Sequence, residues 1–387
     1  MKRSKVYGME SEQMVFHGKF AAWPDYQNCI SNLPNSIMKY FGVEAVGDTL
    51  PCLDKYLGKE YKNVVVILLD GMGVNIMEAN LEEDGFFRRN LAERYSSTFP
   101  PTTVAATTSI MSGKMPNEHS WLGWDCYYPQ VDKNITVFFN VLQGTEEQAE
   151  SYNVPYRYTG YENVFTRFQN AGKTAHVVAS FLEPYPDEFG QITKRVKELC
   201  NEDGRKYVYV YWNQPDTAMH DTGCFSEESK RVVRDLEQQV KALCDEIEDT
   251  LVIVTADHGH RNSRGVSITD YPTIMECLVR MPSIEPRALN LFIKPDKKEQ
   301  FVKEFQRLFG EEFVLMTKQE VIESGLFGTG KEHECFQEML GDYLAVAVSD
   351  LSIYNTEEEA EHFIGVHAGL SPEEMTIPLI MVECAKK

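Results

Sequence analysis

The sequence predicts an α/β fold in which a mostly parallel sheet is flanked by helices on both faces and a smaller α+β insert is added to it. Three observations carry this. Apolar, β-rich runs recur at 64–69 (VVVILL), 135–139 (ITVFF), 174–179 (TAHVVA), 207–212 (YVYVYW) and 251–255 (LVIVT), and helical stretches separate them. Continuous apolar strands alternating with helices are those of a sheet buried on both faces. Between about 261 and 366 the texture changes to LNLFIK at 289–294, a charged helical stretch at 296–309, FVLM at 313–316 and LAVAV at 344–348.

Taken in order, residues 1–60 carry the turn signals Pro24, Pro34, Gly42, Gly47 and Pro51 and few periodic runs, and read as an irregular arm over a core. A catalytic core is expected over 61–260 and 366–387, with an insert or cap over 261–365. Within the core, 226–247 opens with Ser226 as an N-cap and places Val232, Leu236, Val240 and Leu243 at helical spacing, as a crossover helix would.

Composition narrows the function. The 387 residues carry a formal charge of −21, whereas a protein that tracks a nucleic-acid backbone needs a basic stripe to displace counterions. A small anionic substrate is compatible with this charge once cations sit in the site. The segment MKRSKVYGMESEQMVFHGKF has no apolar core behind its basic residues, and no stretch reaches the ~18 apolar residues of a spanning helix. The nine cysteines are scattered without a CxxC pair, so neither a disulfide framework nor a cysteine zinc site is suggested. The expectation is a soluble cytoplasmic protein with no membrane partner.

In an open parallel sheet, ligands bind outside the carboxyl ends of the strands. Asp70 follows the first run and precedes a glycine turn; Asp257 and His258 follow 251–255 in TADHGH; Asp216 and His220 follow 207–212, four residues apart and so on one face of any helix formed there; His367 lies in the glycine-flanked GVHAGL. Carboxylates and imidazoles offer the oxygen and nitrogen ligands that divalent metals take. Singly, each has a plain alternative as a cap, turn former or solvated loop residue, and His260, Arg261 and Arg264 read as a solvated loop. In STFPPTTVAATTSIMSG, residues 97–113, Thr102, Thr103 or both begin a small-residue helix. A hydroxyl there meets free N–H groups and the positive dipole end, although a threonine N-cap has the same look.

With these residues in hand, the chain resembles the alkaline phosphatase superfamily, most closely its type I phosphodiesterase/nucleotide pyrophosphatase branch. The match runs from about 61 to 383 in the family's order: DGMG, the threonine segment ending SGKMPNEH, PDxxxH, ADHG, and GVH before a late strand. It implies an alkaline-phosphatase-like core and two divalent metal ions, zinc first, with manganese or another transition ion as the alternative. One ion would be held by Asp216, His220 and His367, the other by Asp70, Asp257, His258 and the nucleophile hydroxyl. In such families the nucleophile lies ten residues before the closing glycine, and counting back from Gly113 selects Thr103. A register that reads TFP at 98–100 as the nucleophile motif leaves the segment five residues too long.

One departure matters. Phosphodiesterase members usually carry an asparagine for a phosphate oxygen shortly after the segment resembling PNEHS, and Trp124 of HSWLGWD falls there. An indole offers one donor and much apolar surface, so Trp124 either stacks a flat group of the substrate or packs with Trp121 under the cap. The implied activity is hydrolysis of phosphodiester or pyrophosphate bonds in small, nucleotide-like substrates through a phosphothreonine. A phosphomonoesterase or phosphonate hydrolase is the alternative, and a non-catalytic metal-stabilised binding protein the remote one.

Overall fold

A computed structural model describes residues 13–16 and 19–386. The central sheet has six strands in the order Leu91–Ser96, Thr376–Cys384, Thr250–Thr255, Asn63–Leu69, Lys206–Trp212, Thr174–Ala179. The strand 63–69 pairs in parallel with 250–255 and with 206–212, which pairs in parallel with 174–179. Thr376–Cys384 runs antiparallel to both of its neighbours. The parallel arrangement expected from the sequence therefore holds at the centre of a mixed α/β sheet. Its three central strands are buried at every position, because helices cover both faces. One group comprises Val74–Asn80, Phe189–Asn201 and Glu227–Glu246, the other Leu33–Tyr40, Thr103–Ser112 and Val164–Asn170. Ser226 caps its helix as expected, its side chain accepting from Ser229 N at 3.0 Å.

Two expectations about elements are corrected. The run 135–139 lies outside the parallel sheet. Lys133–Thr136 pairs with Asp125–Tyr128 and Val141–Leu142 in a second, antiparallel sheet. That sheet is completed by Ser283–Glu285, Ala288–Leu291, Phe313–Thr317 and Tyr343–Ala347. Short apolar runs do not encode their partners: this one pairs with the strands on either side of it in the sequence, and Asp125 opposite Ile284 joins them to the rest of the sheet. Secondly, residues 30–56, expected as irregular, form the helices Leu33–Tyr40 and Pro51–Tyr56, and Ile30, Leu33, Ile37 and Leu53 join the main core. The N-terminal basic segment lies mostly outside the described residues. The second sheet has its own apolar clusters, one around Trp121, Tyr128 and Phe336, the other around Phe301, Phe305 and Phe313. Among the described residues no helix is long and apolar enough to cross a membrane, and all nine cysteines are free.

Candidate active site

Three strands that point the same way deliver their terminal acids to one edge. Asp70 N donates to Trp212 O, and Asp216 N donates to Asp70 O, both at 3.0 Å, which locks the ends of two strands together. Asp257 Oδ1 accepts from Gly71 N at 3.1 Å and from His258 N at 3.0 Å. Gly71 is required twice over: its φ is +73°, and a Cβ there would stand 2.8 Å from His260 Cδ2.

The first cluster is Asp70, Asp257 and His258, all buried, with their ligand atoms within 4.8 Å of one another. His258 Nδ1 faces Gly259 O at 3.0 Å, so this nitrogen carries a proton and Nε2 faces the carboxylates, 3.3 Å from Asp70 Oδ1. Tyr211 Oη donates to Asp70 Oδ2. Thr103 begins the helix Thr103–Ser112 and places Oγ1 3.4 Å from Asp70 Oδ2 and 3.3 Å from His258 Nε2. Thr102, the N-cap residue, turns the other way and donates to Glu285 Oε1 at 2.6 Å. Thr98 is buried elsewhere, its hydroxyl without a partner.

The second cluster is Asp216, His220 and His367, joined by His260. The helix Asp216–Thr222 puts Asp216 and His220 on one face as expected, with His220 Nε2 3.3 Å from Asp216 Oδ1. His220 Nδ1 donates to Gly365 O at 2.7 Å and His367 Nδ1 to Pro101 O at 3.2 Å, which again turns Nε2 inward. The rings of His258 and His367 stack at 3.8 Å, so the clusters adjoin.

The donor set fits two divalent cations. Asp257 Oδ2 is buried without a hydrogen-bond partner. Burial, and then the charge of Asp70, push the Asp257 carboxyl well above its ordinary range. Burial would lower His258, but Asp257 and Asp70 outweigh it and drive the imidazole up to about 10. A field that pulls a proton onto a buried imidazole attracts a metal ion for the same reason.

His260 is a correction to the sequence reading. It is wholly buried rather than solvated, and its Nε2 lies 2.6 Å from Asp216 Oδ1. Burial pushes its pKa down to about 4, so it serves as a neutral donor that aims the Asp216 carboxylate. Removing such an orienting partner typically costs roughly 10–100-fold in metal affinity. His260→Ala is expected to show that loss in competition with a chromophoric chelator, and unchanged affinity would refute the role. Arg264 pairs instead with Asp350 and Glu312, away from the clusters.

Above the clusters opens a cavity of about 320 Å³, lined by Thr103, His220 and His367 on one side and by Trp124, Glu285 and Tyr354 on the other. The two tryptophans separate. Trp121 is buried and donates to Thr159 O at 2.9 Å, whereas Trp124 is 42% exposed at the cavity wall, in ring contact with Phe138 and Phe139. Nothing local in the sequence marks Glu285. Its Oε1 accepts from both Thr102 Oγ1 and Trp124 N (2.9 Å), tying the start of the threonine helix to the cavity wall, and burial pushes its pKa up to about 7. Two non-glycine residues in the left-handed region adjoin the site, Ile284 (φ 76°) before Glu285 and Ala368 (φ 87°) after His367; such strain of about 1–3 kcal/mol persists only where surrounding contacts impose it.

A mixed α/β sheet with two Asp/His clusters at its carboxyl edge defines a metal-dependent hydrolase. The model of the type I phosphodiesterase / nucleotide pyrophosphatase family matches residues 64–370, and the chain belongs to that family, within the alkaline phosphatase superfamily. Comparison with curated protein sequences finds no match. Among solved structures, murine ectonucleotide pyrophosphatase / phosphodiesterase 5 superposes with a TM-score of 0.63 at 17% identity, covering 83% of this chain and 87% of that one. It is solved both on its own and as an inactive threonine-to-alanine variant in complex with AMP. The human counterpart gives a TM-score of 0.64 at 14% identity, covering 85% and 90%. At these identities the likeness is one of fold.

Proposed function

We propose that the chain hydrolyses phosphodiester or pyrophosphate bonds of small phosphate esters, with Thr103 as nucleophile and a phosphothreonine intermediate. The observation that carries this is the position of Thr103 Oγ1 between Asp70 and His258 at the start of a ten-residue helix. Asp70 Oδ2 accepts the hydroxyl proton and turns the oxygen lone pair toward the cavity. The free N–H groups and dipole of the helix N-terminus receive the phosphoryl oxygens. Attack in line forms the Oγ1–P bond and expels the leaving alcohol or phosphate, and water then cleaves the phosphothreonine. Asp70, Asp257, His258 and Thr103 would hold one divalent ion, and Asp216, His220 and His367 the other, with zinc first by donor chemistry. When bound, such ions supply charge neutralisation and acidify the hydroxyl and the water. The inactive murine relative, which carries alanine for threonine, supports a threonine in this role.

The cavity beside Thr103 has room for a second esterified group, which favours a diester over a monoester. The test is hydrolysis of bis-p-nitrophenyl phosphate against p-nitrophenyl phosphate by zinc- or manganese-reconstituted protein. The diester is expected to lead in kcat/KM by roughly tenfold or more; a lead for the monoester would select the phosphomonoesterase alternative.

A further inference from the structure

The central sheet closes one of its edges and leaves the other open. At Leu91–Ser96, Ser96 N donates to Asn28 O at 3.0 Å, Glu93 accepts from Asn28 Nδ2 at 2.9 Å, and Glu93 and Arg94 put charges on the strand. The opposite edge strand, Thr174–Ala179, pairs with Lys206–Trp212 alone among the described residues. It carries none of the charges, prolines or bulges that guard an exposed edge, and its positions 174–178 are all exposed or half-buried. The chain has 59 acidic residues, yet 171–182 (AGKTAHVVASFL) holds none of them and one basic residue, Lys173. A second copy of so acidic a chain is repelled over most of the surface, and this strip is where it can approach.

The hydrogen-bonding groups left over on this edge fix what fits it. In a parallel pair alternate residues face the neighbour, and Ser180 N donates to Tyr211 O at 3.3 Å. The even-numbered residues are therefore spent on Lys206–Trp212, and Ala175, Val177 and Ala179 point outward. Among the described residues Ala175 and Val177 keep both N–H and C=O free. Ala179 keeps only its N–H, because its carbonyl accepts from Leu182 N at 3.2 Å, and Lys173 keeps only its C=O, because its N–H donates to Phe168 O at 2.9 Å. This set is complementary to itself about a two-fold axis at His176. Antiparallel pairing of two copies there sets Ala175 opposite Val177, which exchange both bonds, and at each end it matches Ala179 N with Lys173 O.

His176 then faces His176 of the second copy across the axis, in a pair whose Cα atoms stand about 4.5 Å apart. In the single chain its Nε2 is buried without a hydrogen-bond partner. A neutral imidazole has one donor and one acceptor nitrogen, so another imidazole matches it. Phe181, 55% exposed, falls on the diagonal from Lys173 of the second copy, within reach of so long a side chain.

We infer that two copies of this chain associate through antiparallel pairing of Thr174–Ala179 about a two-fold axis at His176, which joins their six-stranded sheets into one. The association is independent of the chemistry at the Asp/His clusters.

The test is the mass of the full chain by sedimentation equilibrium over a concentration series, expected to rise from 44.3 kDa to twice that value. His176→Lys and His176→Glu each set like charges face to face and are expected to weaken self-association by roughly tenfold or more. An equimolar mixture of the two is expected to recover the doubled mass, because lysine then faces glutamate; a merely structural role of His176 would not give that pattern. In a second arm, His176→Cys is expected to cross-link into a covalent dimer under a thiol oxidant such as diamide. Val178→Cys, which faces Thr174, is expected to cross-link no more than the parent chain. This arm stands even if the charged variants fail to fold. A chain that stays at 44.3 kDa throughout overturns the inference. So does a doubled mass that both charged variants keep, since the interface then lies elsewhere, and so does equal cross-linking of the two cysteine variants.

Discussion

Thr103→Ala is expected to lower kcat for a diester substrate by roughly a thousandfold or more, since among the described residues Thr103 supplies the hydroxyl placed between Asp70 and His258 at the start of a helix. The change is clean structurally. Alanine favours the helix that Thr103 begins, the N-cap residue Thr102 keeps its bond to Glu285, and Thr107 Oγ1 bonds the backbone carbonyl of residue 103, which alanine retains. Metal content, measured on the same sample, is expected to persist through Asp70, Asp257 and His258, and Thr103→Ser to restore measurable turnover. Alanine at 103 with near-normal kcat and normal metal content would remove Thr103 from the chemistry.

The second large effect concerns stability. Arg287 and Glu374 form a wholly buried ion pair that joins the second sheet to the loop behind His367, where Glu374 also accepts from Gly369 N at 2.7 Å. Arg287→Ala strands the carboxylate in the interior, and breaking such a pair from one side costs about 3–5 kcal/mol. A loss of unfolding free energy in urea titration of less than a third of that would mean the pair is solvated in solution. The pH dependence has a definite sign. Burial alone would raise Glu374, but Arg287 outweighs it and holds the carboxyl below its ordinary value. The native state therefore favours the ionised form, so this contribution is present above the ordinary carboxylate range and is lost as pH falls through the depressed native value. Unfolding followed downward from pH 7 is expected to show that acid loss in the parent chain, and a shallower one in Arg287→Ala.

Several parts of the site were legible because their signals are local. Asp70, Asp216, Asp257 and His258 stand beside continuous apolar runs, and a run that reads as a buried strand fixes where its last side chain lands. Asp216 and His220 need only one helical turn to face each other, which four residues of sequence disclose. His367 was visible through its flanking glycines, although its stacking on His258 was not. His260 had a signal that was misweighted: lying two residues beyond a cluster ligand, it read as a solvated loop residue because nothing local says that Gly71 and Asp216 enclose it.

By itself, the sequence determined the central strands, the crossover helix 227–246 and the acids and imidazoles at the strand ends, since each depends on a hydrophobic period, a cap or a turn within about 20 residues. Tertiary structure alone decided which sheet took the run at 135–139, which of two adjacent threonines turned toward Asp70 and which toward Glu285, and that Arg287 would be spent on Glu374. These outcomes join residues separated by 33, 183 and 87 positions in the cases of Thr103–Asp70, Thr102–Glu285 and Arg287–Glu374. Contacts at such range are set by packing and by the cost of leaving a buried polar group unmatched, and neither leaves a pattern in the neighbouring residues.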